Sequence, residues 1–265
     1  MIIEFLIAYV LLGIAAGIMA GLLGVGGGLI IVPVLVSLFT WQGFDPSHIV
    51  HLAIGTSLAT IVATSISSAY AHHQHKAVLW PVFVRLAPGI VVGAVIGAII
   101  ADFMPAQTLR CFFAIFELLV AAQMLLGAKP AAHRQLPGLI GITSTGGFIG
   151  SLSSIVGIGG GTLSVPFLLW CNIDIRKAIA TSAACGLPIA LSGAMSYAVT
   201  GWNESALPAG STGYLFWPAL VGIAVMSILF APVGAKLTHK LPVDSLKKIF
   251  ALLLIVLGLK MLMIG

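Results

Sequence analysis

The sequence predicts an all-α protein that crosses a lipid bilayer many times, built as two inverted repeats with about eight to ten helical segments in total. Three observations lead there. Of the 265 residues, 60% are hydrophobic and only 7% charged, where a water-soluble domain carries roughly 25% charged residues. Such a chain cannot cover a water-facing surface, so its solvent is lipid. Apolar runs recur along the whole length, many near the roughly 20 residues that a spanning helix needs. Their continuity excludes a membrane β-barrel, whose strands alternate polar and apolar residues. Finally, the chain repeats itself. Residues 21–35 read GLLGVGGGLIIVPVL and residues 154–168 read SIVGIGGGTLSVPFL.

The segments follow in order. Residues 2–23 form an apolar run that ends at the first glycine run, and it reads as a retained helix because no basic leader or cleavage site accompanies it. Residues 27–39 are apolar but short, reaching roughly 20 Å at 1.5 Å per residue against about 30 Å of hydrocarbon. After TWQGFDPSH comes 49–71, ended by HHQHK; then 79–101, opened by Trp80-Pro81 and ended by ADFMP; then 105–127. A linker over 129–136, within GAKPAAHRQ, separates a first repeat (1–128) from a second (137–265). The second repeat holds 137–156, the short 160–171, 177–200, 213–235 and 243–264.

The match between halves is ordered. Gly24, Gly26, Gly27, Gly28 and Pro33 correspond to Gly157, Gly159, Gly160, Gly161 and Pro166, an offset of 133. AIGTS (Ala53 to Ser57) corresponds to AIATS (Ala178 to Ser182), Tyr70 to Tyr197, Trp80-Pro81 to Trp217-Pro218, Gly97-Ala98 to Gly234-Ala235 and Pro105 to Pro242.

Loop charges give the halves opposite sidedness. Lys76, Lys129, Arg134, Arg176, Lys177, Lys236, Lys240, Lys247 and Lys248 mark cytoplasmic loops, while the loops at Asp45, Asp102 and Glu204 are acidic or neutral. Every matched pair of loops then falls on opposite sides, and both termini are expected outside, in a plasma (inner) membrane. The net charge of +5 belongs to these loops; no basic stripe interleaved with aromatics is present, so the lipid bilayer and no nucleic acid is the expected partner. Cys111, Cys171 and Cys185 lie in or beside apolar segments, and no structural disulfide is expected.

Glycine permits positive φ and sharp turns. At membrane depth, irregular backbone is tolerated where it is buried in protein or lines a wet cavity. A turn at each glycine run leaves free N–H groups at the start of the helices that begin near Gly28 and Gly161. Two such ends facing one another form an anion site made largely of Gly26, Gly27, Gly28, Gly159, Gly160 and Gly161. On this reading Gly27→Val and Gly160→Val weaken anion binding to a similar degree. The competing reading is close helix packing.

The repeated GxGGG followed by Pro, the AxxTS in each half and the length near 265 residues resemble the TauE/SafE sulfite-exporter family of membrane permeases. The resemblance covers nearly the whole chain. It implies transport of a small sulfur-containing anion, such as sulfite or an organosulfonate, coupled to an ion gradient. An inverted-repeat secondary transporter with alternating access is the reading; a passive anion channel, a carrier of a different small carboxylate anion and a membrane enzyme are the alternatives.

Other polar residues carry two readings each. Thr56, Ser57, Thr181 and Ser182 either donate to an oxyanion or bond to their own helix carbonyls. Ser153, Ser154 and Thr162 flank the second glycine run in the same way. Glu117 is the one acid in the middle of an apolar segment, so it is either a coupling residue or a hydrogen-bonded tie between helices; its counterpart is Leu254. Arg85 either reaches an anion pathway or snorkels, and Arg110, matched by Lys247, reads as snorkelling. His51 is expected at a pathway mouth. His72, His73 and His75 read as a solvated loop, since no carboxylate or thiolate completes a metal site. No Ser-His-Asp set, HExxH or nucleotide loop appears, and the glycine runs lack the Lys-Ser/Thr of a P-loop. No catalytic role, cofactor or metal is therefore expected. A homodimer is compatible with the sequence, and nothing in it requires one.

Overall fold

The computed structural model of the chain describes residues 2–24, 26–126, 135–238 and 243–263. The elements are α1 (Ile2–Leu23), α2 (Gly28–Trp41), α3 (Ile49–Gln74), α4 (Trp80–Asp102), α5 (Ala106–Leu126), α6 (Leu139–Val156), α7 (Gly161–Trp170), α8 (Ile175–Thr200), β1 (Ser211–Thr212), β2 (Leu215–Phe216), α9 (Trp217–Thr238) and α10 (Val243–Met263). Among the described residues seven helices are long and apolar enough to cross a membrane. This is an all-α polytopic membrane protein. The helices α2 and α7, with 14 and 10 residues, are too short to span it. Most of the expected linker over 129–136, and Lys240, lie outside the described residues.

Each expected apolar segment is a helix, with boundaries displaced by a few residues. The clearest departure is 213–216. Instead of opening a helix, these residues turn and form β2, which pairs antiparallel with β1 through Ser211 and Phe216. Gly213 has a φ of 54°, which a helix does not allow. Pro218 falls in the first turn of α9, where a missing N–H costs no helix hydrogen bond, so α9 starts at Trp217. The first half shows the same local geometry at Lys76, also at a φ of 54°, four residues before Trp80.

The helices pack across the two halves. α1 runs along α9, and α4 runs along α6. Both pairs are parallel: Gly13, Gly17 and Gly21 meet Ile223, Ser227 and Ala231 in turn, as Gly89, Gly93 and Gly97 meet Thr143, Gly147 and Ser151. These contacts are backbone on backbone. A Cβ at Gly17 would lie 2.7 Å from the Ser227 carbonyl oxygen, and one at Gly93 would lie 2.0 Å from the Gly147 carbonyl oxygen. In lipid, where the tails are as apolar as leucine, close approach of this kind drives association.

At the centre α3 and α8 lie against each other and run antiparallel: Gly55 meets Tyr197, Leu58 meets Gly193 and Ser65 meets Gly186. Each starts after an aspartate whose carboxylate accepts from the N–H two residues on, Ser47 to Asp45 and Arg176 to Asp174, both at 2.9 Å. These are the most buried of the candidate spans. The glycine runs and the TS pairs therefore sit in protein, shielded from lipid.

Candidate functional site

The two glycine runs meet. A Cβ at Gly26 would lie 2.9 Å from the Gly159 Cα, and one at Gly28 would lie 2.2 Å from the Gly157 carbonyl oxygen. Left-handed backbone makes the turns: φ is 68° at Gly24, 78° at Gly26, 82° at Gly27, 75° at Gly157 and 79° at Gly160. Gly27 and Gly160 are the residues immediately before α2 and α7, so each short helix begins at the turn with Gly28 and Gly161. The Gly161 and Thr162 amides have no hydrogen-bond partner among the described residues, as the first turn of a helix requires.

The TS pairs stand beside the turns, and their hydrogen bonds match across the halves. Ser57 donates to the Gly157 carbonyl at 2.9 Å, and Ser182 donates to the Gly24 carbonyl at 3.4 Å. Thr56 accepts from the Phe216 N–H at 3.0 Å, and Thr181 accepts from the Leu79 N–H at 3.0 Å. All four hydroxyls are fully buried. They tie α3 to the second turn and to the chain entering α9, and α8 to the first turn and to the chain entering α4. None makes the bond to its own helix carbonyl that an isolated Ser or Thr in lipid prefers.

A second set of hydroxyls has no partner. Ser153, Ser154, Thr162 and Ser164 all hold side-chain oxygens shut off from solvent with no hydrogen bond among the described residues. Ser164 was not singled out from the sequence. A signal for the group was present there: all four lie within three or four residues of the second glycine run, and the matched positions Ala20, Gly21, Leu29 and Ile31 carry no hydroxyl.

Glu117 is fully buried on α5, and neither carboxyl oxygen has a partner among the described residues. Arg85 is exposed near the start of α4, where its backbone carbonyl accepts from Thr143. The histidine cluster differs in part from the solvated loop expected of it: His73 and His75 are exposed, but His72 is not. Residues 72–74 complete α3; His72 is buried with Nε2 3.1 Å from the Gly21 carbonyl, and His73 Nδ1 accepts from the Trp80 indole at 3.2 Å. The Trp80 ring packs edge-on against both His73 and Phe83, with centroids 5.5 Å apart in each case, and gives the last turn of α3 an apolar support. Among the described residues no His, Cys, Asp and Glu group is arranged to hold a metal.

One end of the protein carries a pocket of about 510 Å³. Three loops converge on it, those at Ser47, Asp102 and Glu204, which are the three that the charge pattern places on one side. His51 lines it, with Nε2 3.0 Å from the Ala101 carbonyl. His48 lies 3.5 Å from Glu204. Tyr214, at the tip of the β1–β2 hairpin, is the buried wall of the pocket, and its ring stacks with His51 at 5.2 Å and His48 at 6.0 Å. Burial first, then the charges of Asp102 and Glu204, hold the Tyr214 phenol well above its ordinary range, so it stays protonated. Behind it the Tyr214 N–H donates to the Tyr197 carbonyl at 3.2 Å, and the Tyr197 hydroxyl donates to the Ser154 carbonyl at 3.3 Å. A line of contacts thus runs from the pocket to the second glycine turn.

Comparison with known proteins agrees with this architecture. The sulfite exporter TauE/SafE family matches residues 9–261. A probable membrane transporter protein of Haemophilus influenzae is 39% identical over 97% of this chain and 98% of its own length. Probable membrane transporter proteins of Methanocaldococcus jannaschii and Bacillus subtilis are each 28% identical, covering 98% and 97% of this chain and 97% of their own lengths. No solved structure matches the chain. With seven apolar spans and a match over nearly its whole length, the chain belongs to the TauE/SafE sulfite exporter family of membrane transporters.

Proposed function

We propose that the protein is a secondary transporter of a small sulfur-containing anion, sulfite or an organosulfonate, coupled to an ion gradient and working by alternating access. The observation that carries the reading is the meeting of the two glycine turns between α3 and α8, each at the start of a half-length helix. Helix starts present amide donors and partial positive charge, which is what an anion in a low-dielectric interior needs. The candidate substrate-binding residues are Gly26, Gly27, Gly28, Thr56, Ser57, Gly159, Gly160, Gly161, Thr181 and Ser182. The serine hydroxyls act indirectly, by holding the Gly157 and Gly24 carbonyls.

The inverted-repeat arrangement is part of this proposal. The antiparallel run of α3 against α8 supports it, since matched elements of an inverted repeat point in opposite directions. So does the exchange of partners, α1 with α9 and α6 with α4, and the pairing of matched hydrogen bonds at Ser57 and Ser182. The pocket at Glu204 then faces outward, in the plasma membrane with both termini outside, and Tyr214 stands between it and the turns. Glu117 is the candidate coupling residue: a carboxyl without a partner in the interior is suited to exchange a proton as the halves rock.

The test is transport in proteoliposomes. Purified protein should accumulate labelled sulfite or a short sulfonate against its gradient when a pH gradient is imposed. Equilibration without accumulation makes it a passive channel, and transport of acetate alone replaces the sulfur anion with a carboxylate.

A further inference from the structure

The two turns share their four glycines, but Gly26 is left-handed where Gly159 is not, and their surroundings differ further. A Cβ at Gly27 would meet the backbone of α1, with the Ala16 carbonyl oxygen at 2.9 Å and the Ala16 Cα at 3.2 Å. A Cβ at Gly160 would meet side-chain ends only: the Ile189 δ-methyl at 2.4 Å, the Ser164 Oγ at 3.5 Å and an Ile149 γ-methyl at 3.8 Å. The first turn is sealed by main chain. The second faces groups that rotate aside.

Of the buried hydroxyls without a partner among the described residues, four stand at the second turn and none at the first; Ser68, Thr200 and Ser211 are single positions elsewhere. Ser153, Ser154 and Ser164 are fully buried, and Thr162 is the second residue of α7. Ser164 Oγ stands beside Gly160. Ser153 follows Ile149 by one turn of α6, and Ile149 borders the same point. Ser154 Oγ lies against Gly193 of α8, one turn beyond Ile189. Serine and threonine in a membrane helix ordinarily donate to a carbonyl one turn back; Ser37, Thr40, Ser192 and Ser196 of this chain do so. A buried hydroxyl left without a partner destabilises the fold. Four of them around one helix start, beside the unpaired Gly161 and Thr162 amides, form a donor set without an acceptor.

We propose that the transported anion is held by the second turn alone, with the Ser153, Ser154, Thr162 and Ser164 hydroxyls and the Gly161 and Thr162 amides as its donors. This rests on the transport reading above and narrows it. The first turn has the matching Gly28 and Leu29 amides, but with Ala20, Gly21, Leu29 and Ile31 in the matched places it has no hydroxyls to join them, and it serves as a packing partner. The donor set also selects the anion. Six donors supply two to each oxygen of a sulfite or sulfonate head, which has three oxygens. A carboxylate has two, and leaves buried donors unpaired, which is the situation that discriminates strongly against the poorer ligand.

Isothermal titration of the detergent-purified protein tests this, with sulfite, methanesulfonate and acetate as the probes. Ser153→Ala, Ser164→Ala and the isosteric Thr162→Val should each weaken sulfite and methanesulfonate binding roughly ten- to a hundredfold, the range for losing a hydrogen bond to a charged group. The ligand-free variants should melt at the same temperature as the parent or higher, because each substitution removes an unpaired hydroxyl. Methanesulfonate should bind the parent at least about tenfold more tightly than acetate. Parent-like binding by all three variants overturns the placement while leaving the transport reading intact. A lower melting temperature with unchanged binding likewise assigns the hydroxyls to structure and overturns it. A parent that binds neither sulfur anion overturns the substrate reading, and this inference with it.

Discussion

The Ser57 hydroxyl donates to the Gly157 carbonyl at 2.9 Å, so the central helix of one half holds the glycine turn of the other. The reciprocal bond, from Ser182 to Gly24, is longer at 3.4 Å. Removing a hydroxyl here leaves a buried carbonyl with one fewer donor, a loss of about 1–3 kcal/mol. Ser57→Ala should therefore lower the unfolding free energy by an amount in that range, and Ser182→Ala by less. Denaturant titration of the purified variants measures both. Equal effects would mean that the two bonds are equivalent in the working protein.

Tyr214 stands between the pocket at Glu204 and the pair Tyr197 and Ser154. Its counterpart before Trp80, counted back from the matched tryptophans, is Ala77. In a cysteine-free background, a cysteine at Leu58, buried beside Gly193, should be protected from an impermeant thiol reagent added outside. Tyr214→Ala should expose it. Continued protection, with the variant still monodisperse, would show that the hairpin is not the outer barrier.

Sidedness is checked by single cysteines at Lys76 and Ser205, both exposed in loops. In intact cells the impermeant reagent should label position 205 and spare position 76. Labelling of both from one side contradicts the inverted arrangement.

Glu117→Gln removes the titratable proton and nearly preserves shape. Sulfite binding should persist, while accumulation driven by a pH gradient should fail. Proton-driven accumulation equal to that of the parent retires Glu117 from coupling, and assigns its buried carboxyl to helix packing.

Much of the fold was legible because lipid imposes a simple rule: spanning segments must be long, apolar and helical. That is why the boundaries from α1 to α10 differ from the sequence reading by only a few residues. The β1–β2 hairpin was not legible. Strands of two residues carry no periodicity, and SALPAGSTGYLF reads equally well as a loop or as the approach to a helix. The glycine turns announced themselves by repetition, but their unequal surroundings did not. Whether Ala16 backbone or an Ile189 side chain faces the turn depends on how α1 and α8 pack, and the matched glycines are silent on that. The roles of the hydroxyls were equally hidden. Ser57 and Ser164 look alike in sequence, yet one bonds across the molecule and the other has no partner among the described residues.

That difference bears on the matched glycines themselves, for which the repeat alone predicts matched effects. Gly27 and Gly160 have nearly the same φ, 82° and 79°, so an alanine at either carries a similar cost of left-handed backbone, about 1 kcal/mol. The steric cost differs. At Gly27 the new methyl meets the Ala16 carbonyl and Cα, and α1 must move as a unit, although it is locked along α9 by its own glycine contacts. Overpacking against main chain adds about 1–3 kcal/mol. At Gly160 the Ile189 side chain turns aside, and the methyl then occupies space beside Ser164. Gly27→Ala should therefore be the less stable variant by about 1–3 kcal/mol, and its folded fraction should bind sulfite nearly as the parent does. Gly160→Ala should purify well and lose most of its affinity. Thermal unfolding and sulfite titration of the two proteins, side by side, decide it. Equal loss of binding at both positions would mean that the anion touches both turns, and the symmetric site would stand in place of the one-sided site.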